Sequence, residues 1–237
     1  MANGDKVKSV GVEAVDKALR ILQCFRDGDA SLSLHEISER TGFYKSLVLR
    51  MIASLENAGC LVRLPDKTYA LGSELMRLGA LYQRALRLDQ HVRPALRDLT
   101  RATGESSTFY RLDGDKRLCL FREDSQQSIR DHIREGDRLA LDKGSAGHVL
   151  TLFSNMPSDD AQCRTLIQQL PLVSYAERDR DSASMSVPIF AGGQALAGAL
   201  ALSGPLSRFT RDRVAEMAVP LLAAGRALSL ALGGVPV

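Results

Sequence analysis

The sequence predicts an α+β protein in two parts. A small N-terminal unit of three helices and a β-hairpin precedes a larger unit in which helices flank one central antiparallel sheet. Three observations carry this prediction. Apolar residues recur every three or four positions as far as residue 57, which is helical spacing. Short strand-like runs joined by turn residues follow from residue 105 onward. Helical periodicity returns at the C-terminal end, so strands and helices are mixed without a repeating βα alternation.

The first helix is predicted from VEAVDKALRILQCFRD, residues 12–27. Val15, Leu19, Leu22 and Phe25, with Ala18 and Ile21 beside them, form one apolar stripe, and Gly28-Asp29 stops it. Ser33 followed three residues later by Glu36 fits a capping box that starts a second short helix, with Leu34 and Ile37 inward and Gly42 at its end. A third helix over 44–57 turns Val48, Met51 or Ile52, and Leu55 toward the other two, and Gly59 ends it. CLVRL and TYAL then flank a Pro-Asp-Lys turn and read as a hairpin. Three helices, a short turn between the last two, and a hairpin describe a winged helix-turn-helix over residues 10–72, behind a flexible tail at 1–9.

Charge is distributed in keeping with that reading. The chain of 237 residues carries a formal net charge of +3. Residues 1–87 hold 13 Lys and Arg against 10 Asp and Glu, so the whole excess lies in the first third. Between Glu39 and Glu56 every charged residue is positive: Arg40, Lys45 and Arg50. Arg63 and Lys67 add two more at the ends of the hairpin. A surface of one sign is what phosphate contacts require, whereas an ordinary solvated helix face mixes signs.

SELMRLGALYQRALRL, residues 73–88, begins at an N-cap serine and places Leu75, Leu78, Leu81, Tyr82 and Leu86 on roughly one face. It reads as a connector helix that packs against its twin in a homodimer, the alternative being packing onto its own domain. The second domain is expected over 89–237. Its first helix, 89–104, has Val92, Leu96 and Leu99 as its stripe, and Asp113-Gly114-Asp115 joins ESSTFYRL to KRLCLFRE as a hairpin. A turn-rich stretch leads to a short helix from GSAGHVLTLF, and helical character resumes after Pro157. SASMSVPIF and QALAGALALSG form two more strands around Ala191-Gly192-Gly193. A closing helix follows, with Thr210 as cap and Asp212 in its first turn.

A small-molecule site can be argued in this domain. Ser145, Ala146 and Gly147 lead into a helix, where backbone amides and the helix dipole favour a carboxylate. On the strand 198–203, alternation sends Leu200 and Leu202 to one face and Ala199, Ala201 and Ser203 to the other. The leucine face belongs under helices, and the small-residue face would floor a pocket. Ser184 and Ser186 would take the same part on the neighbouring strand, and Glu177, Arg178 and Asp179 lie on a loop beside it. The glycine-serine corner also reads as a plain turn and cap, and the charged loop as solvated.

Read residue by residue, the chain resembles the IclR family of bacterial transcription regulators. AVDKALRIL (14–22), LSLHEISERTGFYKSLVLRMIASLENAGCLVR (32–63) and YALG (69–72) match its DNA-binding part. LALDKGSAGHVL (139–150), AERD (176–179), SVPIF (186–190) and ALALSGPLSRFT (199–210) match its effector domain. The resemblance implies a GAF-like C-terminal module that binds a small organic acid and homodimers that can pair into tetramers. It also implies that the helix opened by Tyr44 sends Lys45, Ser46, Leu47, Leu49 and Arg50 toward the major groove or its phosphates. The chain departs from the family at Tyr44, where proline is usual, and at Leu47 and Leu49, where polar residues are. Those leucines could touch thymine methyls or pack against a neighbouring element. Alanine at 176 and 201 replaces a usual glycine and serine. The missing hydroxyl at 201 makes the pocket less polar, favouring an acid with an apolar or aromatic part.

Other classes find little support. No nucleophile-elbow, P-loop, HExxH or dinucleotide fingerprint is present, and His148 near Ser145 lacks a third orienting group. Catalysis and a cofactor are therefore not expected. Four scattered cysteines and four scattered histidines give no zinc spacing, and the thiols read as reduced in a cytoplasmic protein. No uninterrupted apolar run has the length of a membrane span. The rival class is a small-molecule-binding or scaffold protein whose helix-turn-helix no longer binds DNA.

Overall fold

The computed structural model describes residues 11–26, 28–85, 88–154, 161–192 and 195–234, excepting the side chains of 83–85 and 161–163. The tail expected at 1–9 and Gly193 of the expected turn lie outside these residues. The chain divides into two units, 1–85 and 86–237. That boundary falls within the segment expected to be the connector, 73–88.

In the first unit α1 (Glu13–Gln23), α2 (Leu34–Thr41) and α3 (Lys45–Asn57) precede the hairpin β1 (Leu61–Arg63) and β2 (Tyr69–Leu71), and α4 (Ser73–Ala85) follows. The capping box forms as the sequence predicts: Glu36 N–H donates to Ser33 Oγ at 3.3 Å, and Ser33 N–H donates to the Glu36 carboxylate at 2.8 Å. Gly42 takes the left-handed conformation (φ 73°) that lets the chain turn from α2 into α3. Ile21, Leu32, Ile37, Val48, Ile52, Leu55, Leu61 and Tyr69 form the core. Leu32 also exchanges two backbone hydrogen bonds with Tyr69, each 2.8 Å, which ties the α1–α2 loop to the hairpin.

Two expectations are corrected here. The α1 stripe does not face the core as drawn: Val15 and Leu19 are exposed, and Ile21 is the buried residue, supported by Ala18, Leu22 and Phe25. The helix ends at Gln23, so Phe25 reaches the core from the following turn. Ser73 is the first residue of α4 rather than a cap preceding it. Met76, Leu78, Leu81 and Tyr82 of α4 are exposed.

The second unit opens with α5 (Asp89–Thr103), continues through β3 (Ser106–Asp113), β4 (Lys116–Glu123), β5 (Arg138–Ala140), α6 (Ser145–Phe153), α7 (Ala161–Ile167), β6 (Leu172–Tyr175), β7 (Ser182–Phe190) and β8 (Leu196–Pro205), and ends with α8 (Arg211–Ala231). Six strands form one antiparallel sheet in the order β5-β4-β3-β8-β7-β6. The edge strand β6 is an addition to the predicted set, while β5 lies within SIRDHIREGDRLAL, the stretch expected to be extended and turn-rich.

The alternation read from β8 sorts the two faces. Leu200 and Leu202 join Phe109, Val187 and Ile189 under Val92, Leu96 and Leu99 of α5 and Met217, Leu221 and Leu228 of α8. Ala199 and Ala201 lie on the opposite face, with Tyr110 and Cys119, under Ala146, Val149, Leu150 and Phe153 of α6. Thr210 caps α8 by accepting from Arg213 N–H at 3.3 Å. This helix is long and apolar enough to cross a membrane by length and composition alone. Here its apolar side covers the sheet.

Candidate functional site

The helix α3 packs inward through Val48, Ile52 and Leu55, spaced by three and four residues, and this fixes which side remains outside. Lys45, Ser46, Leu49 and Arg50 are exposed with Tyr44, while Leu47 is half-buried. Arg63 and Lys67 are exposed on the hairpin, and the Arg63 guanidinium lies over the Tyr69 ring, 6.0 Å from its centroid. Among the described residues none of Lys45, Arg50, Arg63 and Lys67 makes an ion pair. Arg40 differs from the other cations read from the sequence. It pairs with Asp29 and donates to the Cys24 carbonyl, so its charge is spent inside the unit. Tyr44 precedes α3 with φ −63° and offers no side-chain cap. That angle is the one proline would impose, so the backbone here suits the proline that the resemblance led one to expect.

In the second unit Ser145 is wholly buried at the start of α6. Its hydroxyl donates to Ser184 Oγ at 2.8 Å and lies 2.7 Å from Ser186 Oγ, and its N–H donates to Ser184 Oγ at 3.2 Å. Three of the four predicted serines thus meet through Ser145, and Ser203 does not join them. Ala146 and Gly147 on the inner side of α6, and Ser186 and Ala201 on the strands beneath it, are buried around them and line neither of the cavities described below. Gly147 is a position that tolerates no Cβ, which would stand 2.2 Å from the Leu141 carbonyl and 2.5 Å from Arg117 Nη1.

A carboxylate does sit at the α6 N-terminus, and it is the chain's own. Glu177 accepts from Gly144 N–H at 2.9 Å and lies 2.6 Å from His148 Nε2. A carboxylate can only accept, so the imidazole nitrogen carries the hydrogen. Burial alone would raise the Glu177 carboxyl; the Gly144 amide, His148 and Ser174 outweigh it and hold the group below the usual carboxylate range. His148 therefore turns to Glu177 and Ser145 to the serines, and no nucleophile-base pair forms between them.

Two cavities adjoin this point and share Arg178 and Ser182. The outer one, about 650 Å³, is bounded by the apolar Ile129, Ile133, Leu139 and Pro205, by Gly204, and by a charged set that includes Asp131, Asp137, Asp179, Asp181, Arg130 and His132. The inner one, about 20 Å³, is bounded by Arg117, Gly144, Ser174, Glu177, Ser184 and Ser203. Of the predicted residues, Asp179 faces the outer space, and Ser184 and Ser203 the inner. Asp179 accepts from Arg178 Nε at 2.6 Å. Behind the loop, Arg122 and Asp131 form a buried ion pair, each side chain 4% exposed, to which Arg178 adds a contact at 3.5 Å. Ala176 opens the loop with φ 54°, an angle that strains alanine and explains why glycine suits the position.

Sequence reasoning missed Arg117. Its guanidinium crosses over the Tyr110 ring (5.3 Å to the centroid), and its Nη1 donates to the Ala140 carbonyl at 2.9 Å and to the Lys143 carbonyl. The signal was faint: Arg117 stands two residues before Cys119 on β4, and so shares the inward face of that buried thiol.

The family model for the IclR helix-turn-helix domain matches residues 14–65. The chain is 29% identical over 235 residues to the HTH-type transcriptional regulator BhcR of Paracoccus denitrificans, covering 88% of this chain and 83% of that protein. It is 25% identical over 227 residues to the HTH-type transcriptional regulator KipR of Bacillus subtilis, covering 85% and 90%. In fold it is similar to an IclR homologue from Microbacterium hydrocarbonoxydans in complex with 4-hydroxybenzoate. The TM-score is 0.77 at 19% identity, over 92% of this chain and 98% of that one.

Proposed function

Because the chain belongs to the IclR family of transcription regulators and carries its DNA-binding helix-turn-helix, we propose that it reads a specific operator through α3 and releases or tightens on it when its second unit binds a small organic acid. Its relatives are transcription regulators, not enzymes. The observation that carries the proposal is the exposed α3 face: among the described residues Lys45, Ser46 and Arg50 have no internal partner, on a helix held from behind by Val48, Ile52 and Leu55. On this reading Tyr44 and Lys45 begin the helix at the groove edge, Arg50 contacts a base edge or phosphate, and Leu49 meets a thymine methyl. Arg63 and Lys67 reach flanking phosphates.

The exposed Met76, Leu78, Leu81 and Tyr82 supply an apolar face on α4 for a second copy, and two copies would match a two-fold symmetric operator. The effector enters beside Asp179, Ser184 and Ser203, with Ser145, Ala146, Gly147, Ser186 and Ala201 shaping the wall behind. Ile129, Ile133, Leu139 and Pro205 on the outer cavity, beside its aspartates and Arg130, Arg178 and His132, give an apolar or aromatic acid body a surface to lie on, and the fold neighbour bound to 4-hydroxybenzoate supports that class. Regulation requires that the acid bind one arrangement of the dimer better than the other, since equal affinity shifts nothing. Such a protein acts in the cytoplasm, where its operator is.

Selection of bound sequences from a random duplex pool tests the first half. A palindromic consensus recovered by the protein is expected, and enrichment of no sequence would contradict operator reading. Adding a panel of aliphatic and aromatic acids to that complex tests the second half, with a change in affinity of about tenfold expected for the right class.

A further inference from the structure

Arg117 is 3% exposed and Ser203 is 6% exposed. The Nε of the one and the Oγ of the other are the buried side-chain polar atoms that lack a hydrogen-bond partner among the described residues. Both residues bound the same inner cavity. A native fold leaves few such groups, because each costs about 1–3 kcal/mol when nothing answers it. Two at one place call for a common cause.

The chemistry of the cavity identifies that cause. The Arg117 guanidinium stays charged in a protein, yet among the described residues no carboxylate lies within ion-pair distance of it. Its two bonds go to neutral carbonyls. Ser184 accepts from Ser145 twice, leaving its own proton to give. The positive end of α6 opens on the same space, and Arg178 stands on its rim. Donors therefore surround the chamber, and the acceptor among its charged groups is Glu177. Burial draws the Arg117 pKa downward, and Tyr110, Asp142 and Glu177 offset it only in part.

We propose that Arg117, with Ser184 and Ser203, is the seat for the acid group of the effector, and that Glu177 holds that seat closed until an external carboxylate replaces its own. This rests on the reading of the second unit as an acid sensor and adds its anchoring and specificity-determining residue. The inner space of about 20 Å³ has room for one water, so the acid group enters only as the Glu177 side chain leaves. Exchange of one carboxylate for another keeps the charge balance at α6. The body of the acid then lies in the outer cavity of about 650 Å³, across Arg178 and Ser182. Amides, alcohols and amines of the same shape bring no negative charge and should be refused.

The test uses the full chain and benzoate, with benzamide as its uncharged match, read by calorimetry and by thermal shift. Benzoate is expected to bind and stabilise the wild type, and benzamide is not. Glu177→Gln, which leaves the donors facing a neutral group, should bind benzoate about tenfold more tightly. Ser203→Ala should weaken it about tenfold while raising the melting temperature of the unliganded protein, because an unanswered hydroxyl is removed. Arg117→Gln should abolish the response. Equal benzoate affinity in Arg117→Gln and wild type would overturn the assignment of Arg117 and leave the acid-sensor reading intact. Should Arg117→Gln fail to fold, unchanged affinity in Ser203→Ala overturns it instead. No binding to either the wild type or Glu177→Gln also overturns the seat; the wider reading then stands or falls on whether other acids alter DNA affinity.

Discussion

The outer side of α3 with its hairpin and the interior of the second unit treat positive charge in opposite ways. On α3 and the hairpin, Lys45, Arg50, Arg63 and Lys67 are exposed and unpaired among the described residues. In the second unit Arg122 and Arg208 are drawn inward onto Asp131 and Glu105, both buried. A cation that its own fold leaves without a partner is available to a phosphate, and one paired inside fixes a loop. Arg117 belongs to neither group. It is buried as deeply as Arg122, yet among the described residues no carboxylate forms an ion pair with it, and that makes it the point at which the second unit resembles the first.

The contrast can be broken most forcefully at the buried pair. Asp131→Ala strands Arg122 and should cost about 3–5 kcal/mol in guanidinium unfolding of the second unit. A loss below about 1 kcal/mol would show that Asp124, 2.7 Å from Arg122 Nε, suffices alone. Next in size is the hairpin. Arg63→Ala with Lys67→Ala should lower DNA affinity about tenfold on every sequence alike and make the salt dependence shallower by roughly one unit per charge, in anisotropy titrations. A sequence-selective loss would move those residues from phosphates to bases.

Smaller effects sharpen the backbone comparison. Ala176→Gly relieves the left-handed φ of 54° and should stabilise the second unit by about 0.5–1 kcal/mol, measured by denaturation. Tyr44→Pro should stabilise the first unit by about 0.5 kcal/mol, because φ is already −63° and the exposed ring gives up no packing. Destabilisation in either case would mean that the family's residue is excluded by a neighbour rather than merely replaced.

Local chemistry explains what could be read in advance. The Ser33–Glu36 box, the glycine after α2, the Asp113–Asp115 hairpin and the two faces of β8 were legible because each is decided within about ten residues by spacing and turn chemistry. The face of α1 was not, since Val15, Leu19 and Ile21 are equally apolar and only the position of α3 chooses among them. β6 was missed because LVSY is four residues long and shows no clean alternation. The candidate site was half legible. Small residues on β7 and β8 could be placed on one face, whereas the approach of Glu177 to Gly144 spans 33 residues and that of Arg117 to Lys143 spans 26, distances that no local pattern encodes.

The central claim is that α3 reads DNA through Lys45 and Arg50. Fluorescence anisotropy of labelled duplex from upstream of the protein's own gene, titrated with the wild type and with Lys45→Ala/Arg50→Ala against random-sequence competitor at two salt concentrations, tests it directly. Tight, competitor-resistant binding by the wild type and a loss of about a hundredfold in the variant, with a shallower salt slope, are predicted. Competitor-resistant binding of equal strength by both proteins would contradict the account.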